Sequence, residues 1–340
     1  MKKKNLILAV LCICVMLVGC GSKGEVAPAE ANDSAQETAA DEGKTISVVT
    51  TIFPEYDWVR QIVGSNDNVE ITMLLDNGVD LHSYQPTADD IMKIASCDLF
   101  IYVGGESDEW VEDALAESTN PDMKVINLLE TLGDKVQEEE VVEGMEAEEE
   151  EEEGEEGEEE EVEYDEHVWL SLKNAEILVD EIANQLAAID ADSADTYKTN
   201  AGNYVSELTA LDEKYATAVS EGNTDTILFG DRFPFRYLVD DYGLNYYAAF
   251  VGCSAETEAS FETITFLADK VDELGLSTVF TIENSDQKIA ETIISNSNSK
   301  DAQILTMDSM QTTTSADVEN GVTYLGVMES NLKALSEGLK

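Results

Sequence analysis

The sequence predicts an α/β protein with two lobes, each holding a four-stranded, mainly parallel sheet flanked by helices, and a long helix that joins the lobes. Three observations lead to this prediction. From Thr45 onward, short β-rich segments alternate with longer helical segments, which is typical of parallel sheets. The β-rich segments fall into two series of four, and 340 residues suffice for two lobes that each bury a core. Between the series, residues 173–219 contain no proline and repeat apolar residues at helical spacing.

The first 20 residues have the pattern of an export signal. A basic start, MKKK, precedes an apolar stretch at residues 6–18. An uncleaved membrane anchor is the alternative, but this stretch is shorter than the about 20 residues that a spanning helix needs. The ending LVGC resembles the lipobox of bacterial lipoproteins, in which the cysteine carries the lipid. We therefore expect lipidation at Cys20, a flexible tether over residues 21–43, and an extracytoplasmic protein that is lipid-anchored to the bacterial cell membrane.

The two series of strands define the predicted lobes. The first lobe covers residues 44–190 and the second covers residues 222–340. The predicted strands are Ile46–Ile52, Val69–Leu75, Asp98–Gly104 and Met123–Leu129 in the first lobe, and Asp225–Gly230, Leu244–Phe250, Ser277–Glu283 and Ala302–Asp308 in the second.

The interlobe helix is predicted over residues 191–221. Asp192 or Ser193 would cap a helix of about 28 residues, which is roughly 42 Å long at 1.5 Å per residue. Such a helix can bridge two lobes, and its stiffness would oppose a large hinge closure. The alternative is a pair of ordinary helices packed within one lobe.

The cysteine count leaves few options for sulfur chemistry. Of five cysteines, Cys12 and Cys14 fall in the signal and Cys20 is the lipid site, so Cys97 and Cys253 remain. No CxxC pair is present, which excludes a thiolate zinc cluster. The remaining two could form a disulfide, although the apolar context of Cys97 predicts a buried small hydrophobe. Metal ligation by Cys253 stays open.

The charge balance excludes one large class of partners. The formal net charge is -54, and residues 138–166 contain 20 acidic side chains and no basic one. A surface this negative repels phosphates and attracts cations, so we expect no nucleic-acid partner and favour a protein that handles cations. Mutual repulsion predicts that this acidic loop is extended. We hypothesise that it gathers cations weakly, and a solvated spacer is the alternative.

The chain has two histidines, His82 and His167. Neutral imidazole is a preferred ligand for zinc and also binds manganese and iron. Both residues fall in predicted loops of the first lobe, where they could face one cleft, although a single histidine is more often a surface residue than a ligand.

The strings GVDLHSYQPTADDI, YDEHVWLSL, DDYGL, FTIENSD and LTMDSM resemble the metal-binding proteins of zinc/manganese-type ABC importers, the cluster A-I family of solute-binding lipoproteins. The resemblance extends from about Thr45 to Lys340. It implies two α/β lobes joined by a long helix, a metal ion between them, and a membrane permease as partner. Matched by position, it implies His82, His167 and Asp308 as ligands, with Glu283 behind them.

The third ligand is where the sequence departs from that family. The family has His or Glu a few residues before its Tyr-Gly-Leu helix, and gap-free counting puts Arg232 at this place. Arginine has only donors and cannot bind a cation. A shift of one residue, which Pro234 makes plausible, gives Asp231, and we predict Asp231 as the ligand. The alternative is that Asp231 pairs with Arg232 or caps the next helix.

This ligand set predicts the cargo. Two imidazoles and two carboxylates would neutralise a divalent ion. Oxygen ligands suit manganese, yet raw affinity favours zinc over manganese, so we expect Zn²⁺ ahead of Mn²⁺ or iron. The function that follows is capture of the ion and its delivery to an ABC importer by a monomer.

Two other classes of function remain as alternatives. A zinc metallohydrolase would need an open coordination position, but the sequence has no HExxH, GxSxG or Walker motif, so we expect no enzymatic activity. A surface adhesin or sensor could use the same fold.

Overall fold

The computed structural model describes residues 45–146, 163–254 and 258–340. The first sheet is formed by strands from the first of these three ranges. Its four parallel strands lie in the order β2-β1-β3-β4. Helices α1 to α4 flank this sheet. The elements are β1 Ile46–Thr50, α1 Phe53–Val63, β2 Val69–Met73, α2 Ala88–Ser96, β3 Leu99–Tyr102, α3 Trp110–Ala116, β4 Lys124–Asn127 and α4 Leu128–Leu132.

The second sheet repeats this arrangement. Its four strands are again all parallel, in the order β6-β5-β7-β8. The elements are β5 Thr226–Phe233, α7 Arg236–Tyr242, β6 Asn245–Val251, α8 Phe261–Leu274, β7 Thr278–Ile282, α9 Lys288–Asn296, β8 Gln303–Met307, α10 Ser315–Glu319 and α11 Tyr324–Gly338. The predicted fold class, two four-stranded α/β sheets, is confirmed.

Strand β5 differs from its predicted extent. We expected it to end at Gly230, but it continues to Phe233 with a register shift between Phe229 and Arg232. The irregularity is a bulge, which redirects side chains at the end of a strand. Asp231 and Arg232 therefore stand at the carboxyl end of β5 rather than in a free loop.

Two helices connect the sheets: α5 Leu172–Ile189 and α6 Ala194–Ser220. The predicted long helix is α6. Its apolar face, including Leu208 and Leu211, is buried, and each buried leucine stabilises the fold by about 1.5–3 kcal/mol. Ser193 occupies the N-cap position, but its side chain makes no cap hydrogen bond. Instead the Asp190 carboxylate accepts from the Ser193 backbone N–H at 3.2 Å.

Helix α6 contacts both halves of the described chain; we call the residues before α6 the first half and those after it the second half. It packs against α1 and α5 and also against α7 and α11. Helix α11 returns to the first half, where the Tyr324 backbone N–H donates to Asp57 Oδ2 at 2.9 Å. The Tyr324 hydroxyl donates to the Trp169 carbonyl at 2.6 Å. The two halves are therefore joined through packed helices as well as through the chain.

Several predictions concern residues outside the described ranges. These are the signal, the tether, the lipid site at Cys20, and residues 147–162 of the acidic loop. Among the residues that are described, no helix is both long and apolar enough to cross a bilayer. Cys97 is buried with its thiol 3.6 Å from Met123 Sδ, and burial raises the pKa of that thiol to about 12. It is therefore an inert core residue, and the structure contains no disulfide between Cys97 and Cys253.

Candidate metal centre

His82 lies just beyond β2, in a single 3₁₀ turn, Leu81–Ser83. The turn begins at Asp80, whose Oδ1 accepts a hydrogen bond from the His82 backbone N–H at 3.1 Å. An aspartate two residues before an amide commonly forms such a turn. The local sequence thus fixes the backbone of His82 and aims its ring into the space between the halves.

His167 is held by the same device. It stands at the start of the 3₁₀ turn Val168–Leu170, and its backbone N–H donates to Asp165 Oδ1 at 2.8 Å. The same oxygen lies 3.1 Å from the ring Nδ1. The His167 side chain is fully buried. A Cβ added to Gly252 would lie 2.8 Å from the His167 ring, so only glycine allows this backbone to pack so closely against the imidazole.

The two rings meet at their Nε2 atoms, which are 3.2 Å apart. Two nitrogens bound tetrahedrally to one zinc ion at about 2.0–2.1 Å are about 3.3–3.4 Å apart, so the observed separation fits a shared ion. The Asp165 carboxylate can only accept, which assigns the proton of His167 to Nδ1 and the lone pair to Nε2.

His82 has oxygen partners on its other nitrogen as well. Its Nδ1 lies 2.7 Å from Ser107 Oγ and 3.4 Å from Glu166 Oε2. Glu166 is positioned by the Ser107 backbone N–H, which donates to Oε1 at 2.9 Å. Oxygen partners of this kind orient metal-binding imidazoles in proteins and direct the free nitrogen at the ion.

These contacts lower the pKa of Glu166 and raise the pKa of His82. Burial acts to raise the pKa of Glu166, but its hydrogen bond and charge interaction with His82 keep it below its ordinary value. Burial acts to lower the pKa of His82, and the Glu166 and Asp80 carboxylates overcome this effect and raise it. The site therefore stabilises positive charge at His82, whether that charge is a proton or a metal ion.

A third potential ligand comes from the second half. His82, His167 and Cys253 each offer a donor atom, and these atoms all lie within 4.8 Å of one another. Cys253 follows the end of β6 by two residues and is partly exposed. Of the predicted ligands, Asp231 and Asp308 do not belong to this group among the residues described.

Asp231 and Arg232 lie beside the group at the end of β5. Asp231 Oδ1 accepts the Arg232 backbone N–H at 2.9 Å, and Oδ2 is 3.4 Å from the Ile282 nitrogen. The Arg232 guanidinium donates to Asp80 Oδ2 at 2.7 Å and to the Ser254 carbonyl at 3.2 Å. Arg232 therefore forms an ion pair with the residue that caps the His82 turn, and Asp231 as a ligand stays a prediction.

Asp308 follows β8 and accepts the Met310 backbone N–H at 2.7 Å. The next residue, Ser309, donates its backbone N–H and its hydroxyl to Glu283, both at 2.7 Å. Its carbonyl accepts the Trp169 indole N–H at 2.8 Å. Trp169 thus attaches the His167 turn to the Asp308 turn, and Glu283 supports the Asp308 turn through Ser309.

The two acids also interact electrostatically. Burial and the Asp308 charge raise the pKa of Glu283 to about 7, and burial raises the pKa of Asp308. Two carboxylates in one buried site repel each other, and a cation would relieve that repulsion. Asp308 as a ligand remains a prediction.

A cavity of about 500 Å³ separates the halves next to these residues. Its walls include four acids and one arginine: Asp80, Asp231, Arg232, Glu283 and Asp286. The carboxyl ends of parallel strands are the expected place for such a cleft. An excess of carboxylates favours entry of a cation over an anion.

Sequence reasoning missed the residues that orient the histidines: Asp80, Ser107, Asp165 and Glu166. A signal for two of them was present, because both histidines stand in an Asp-x-His sequence. No sequence signal connects Ser107 with His82, since their contact depends on how the loops after β2 and β3 meet.

Comparison with known families gives a match over most of the chain. The family model described as zinc-uptake complex component A, periplasmic (ZnuA), matches residues 48–338.

Among curated proteins, the chain is 32% identical over 339 residues to the zinc-binding lipoprotein AdcA of Streptococcus pneumoniae, serotype 4. The alignment covers 99% of this chain but 61% of AdcA, so the chain spans about three fifths of that relative. It is also 29% identical over 333 residues to the high-affinity zinc uptake system protein ZnuA of Bacillus subtilis, covering 98% of this chain and 97% of that protein.

Among solved structures, the fold is similar to the Zn(II)-bound ZnuA-like domain of Streptococcus pneumoniae AdcA. The TM-score is 0.67 at 27% identity, and the match covers 87% of this chain and 99% of that domain.

Proposed function

Because the chain belongs to the ZnuA family of periplasmic zinc-uptake components, we propose that it captures a zinc ion outside the cytoplasm and delivers it to a membrane importer. The single observation that carries this proposal is the pair of Nε2 atoms 3.2 Å apart. Two lone pairs directed at one point repel each other unless a proton or a metal ion lies between them, so this pair of nitrogens is ready to share a cation. The oxygen partners of both Nδ1 atoms favour this arrangement of protons.

The ligand set that we propose includes donors from both halves. His82 and His167 bind the ion, and Asp231 and Asp308 complete and neutralise the site. Two neutral imidazoles add no charge, so two carboxylates would balance a divalent ion in the cleft. The attachment of the Asp308 turn to Trp169 supports this role for Asp308. Glu283 acts behind it by holding Ser309.

Zinc is the favoured cargo, ahead of manganese and iron. Imidazole is a preferred zinc ligand, and zinc binds mixed nitrogen and oxygen sites more tightly than manganese does. The relatives AdcA and ZnuA are named for zinc, which supports the same choice here.

The cellular setting follows from the start of the chain and from the relatives. We propose that lipid on Cys20 holds a monomer at the outer face of the cell membrane, where it meets the permease of an ABC importer. One relative is named a lipoprotein, which supports the anchor. Capture and delivery require no chemical reaction, so the proposed role is that of a carrier and not of an enzyme.

Calorimetric titration of the full chain with Zn²⁺ tests the proposal. We expect one tightly bound ion per chain, and a loss of affinity of about a hundredfold or more in His82→Ala and in His167→Ala, because each removes a ligand. Glu273→Gln is the matched control, since this exposed residue of α8 pairs with Lys270 and the variant should bind zinc like the wild type. Unchanged zinc affinity in either alanine variant would contradict the proposal, and so would hydrolytic activity that His82→Ala abolishes.

A further inference from the structure

We propose that Cys253 is a metal ligand, so that two imidazoles and one thiolate bind the ion. This inference rests on the proposed function and replaces Asp231 by Cys253 as the donor that completes the site with His82, His167 and Asp308. The thiol belongs to the group of donor atoms that lie within 4.8 Å of one another. A sulfur and a nitrogen on one tetrahedral zinc ion are about 3.5–3.6 Å apart. A movement of about 1 Å by the turn that carries Cys253 therefore closes the site.

The backbone around Cys253 is built to approach the histidines. Gly252 packs so tightly against His167 that a Cβ there would lie 2.8 Å from the ring. The turn is closed by the Ser254 backbone N–H, which is 3.4 Å from the Val251 carbonyl. Any larger residue at position 252 would push the turn, and the thiol with it, away from the imidazoles.

Arg232 helps to place the turn that carries Cys253. Its two terminal nitrogens donate to Asp80 and to the Ser254 carbonyl. One side chain thus connects the residue two before His82 with the residue just after Cys253. Arg232 therefore acts as a positioning residue for the turn that carries Cys253.

The chemistry of this set favours zinc. On binding, the thiol gives up its proton to solvent and sulfur donates an electron pair to the ion. One thiolate and one carboxylate, such as Asp308, would balance a divalent ion between two neutral imidazoles. Thiolate is a soft ligand that suits zinc and is a poor ligand for manganese. A site with the Cys253 thiolate is therefore more selective for zinc than a site in which carboxylates take its place.

X-ray absorption at the zinc edge of the zinc-loaded full chain tests the assignment. We expect nitrogen scatterers at about 2.0–2.1 Å and one sulfur scatterer at about 2.3 Å. Cys253→Ser should remove the sulfur and leave the imidazoles, whereas Cys97→Ser, a change at a buried cysteine that contacts Met123, should keep both.

The outcomes separate this inference from the proposed function. Imidazole scatterers without sulfur in the wild type, or sulfur that persists in Cys253→Ser, would overturn the assignment of Cys253 and leave zinc capture by the histidines standing. A spectrum without imidazole scatterers would overturn both.

Metal selectivity provides a second measurement. In Cys253→Ser we expect zinc affinity to fall roughly tenfold to a hundredfold while manganese affinity changes by less than about threefold. Cys253→His places a nitrogen donor at this position. It should bind zinc nearly as tightly as the wild type, but without the sulfur scatterer. Equal losses for the two metals, with thermal unfolding unchanged, would contradict a thiolate ligand.

Discussion

The two halves of the molecule approach the candidate metal centre in different ways. In the first half, His82 and His167 each have the backbone N–H and the ring Nδ1 hydrogen-bonded to oxygen atoms. In the second half, Cys253 and Asp308 lie on turns just after β6 and β8, whereas Asp231 lies at the end of β5. The carboxylates of Asp231 and Asp308 accept backbone N–H groups. The first half thus presents an oriented pair of imidazoles, and we infer that the second half completes the site by a small movement of the Cys253 turn.

The largest expected effect comes from changing one proposed ligand in each half. We expect His167→Ala to weaken zinc binding by about a hundredfold or more, because its buried ring has no substitute. Asp308→Asn should cost less, roughly tenfold, because the amide oxygen can still reach the ion. Competition with a zinc-binding dye measures both. A loss for Asp308→Asn that equals or exceeds that of His167→Ala would break the comparison.

A second prediction sharpens the claim that the first half is oriented in advance. Asp165→Asn retains the shape of the residue but removes the carboxylate that fixes the proton of His167 on Nδ1. We expect zinc affinity to fall about tenfold to a hundredfold, as is usual when such a partner is lost. Gln61→Ala is the control, because Gln61 lies on α1 and donates to Asp57 rather than to either histidine. Wild-type affinity in Asp165→Asn would show that the ring needs no support.

The pH dependence of binding gives a third prediction. The pKa of His82 is raised despite burial, chiefly by Glu166 and Asp80, so a proton competes with the metal at higher pH than it would for an isolated imidazole. Zinc affinity should therefore fall as the pH drops through this raised pKa, which lies above about 6.5.

Glu166→Gln tests that pH dependence. Without the carboxylate, the pKa of His82 should return toward lower values, and the fall in affinity should move to lower pH. Titrations at a series of pH values between 5 and 8 measure the shift. A midpoint that stays in place, or moves to higher pH, would contradict the assigned cause.

The last prediction concerns the stability of the first half and does not involve the metal. Burial and the nearby Asp108 charge raise the pKa of Glu55 to about 8, so the folded protein keeps a proton that the unfolded chain releases above about 4.5. The free energy of unfolding should therefore fall by at most about 1.4 kcal/mol per pH unit between pH 4.5 and 8. Glu55→Gln should flatten this slope in urea unfolding, and an unchanged slope would exclude Glu55 as its source.

The fold was predictable from sequence because hydrophobic patterning marks each element. All eight strands appear where the β-rich segments indicated them, and six of them are two or three residues shorter. Residues such as Tyr197 and Tyr215 are buried as the helical spacing predicted. The end of β5 was missed because a bulge depends on pairing with β6, which sequence periodicity does not record.

The site was only partly predictable for a related reason. Residue chemistry singled out His82 and His167, and the structure brings their rings together. The residues that orient them, and the approach of Cys253 through Gly252, are tertiary contacts between distant segments. The resemblance to metal-binding importers gave Asp231 and Asp308 by position, and the sequence left Cys253 open because it does not record the distance between Cys253 and the imidazoles.

The most direct test is a crystal structure of the zinc-loaded protein with diffraction data collected at the zinc absorption edge. Our account predicts one anomalous peak between the two rings, at about 2.0–2.1 Å from Nε2 of His82 and from Nε2 of His167. A zinc ion bound elsewhere, or a pair of imidazoles without an ion between them at saturating zinc, would contradict it.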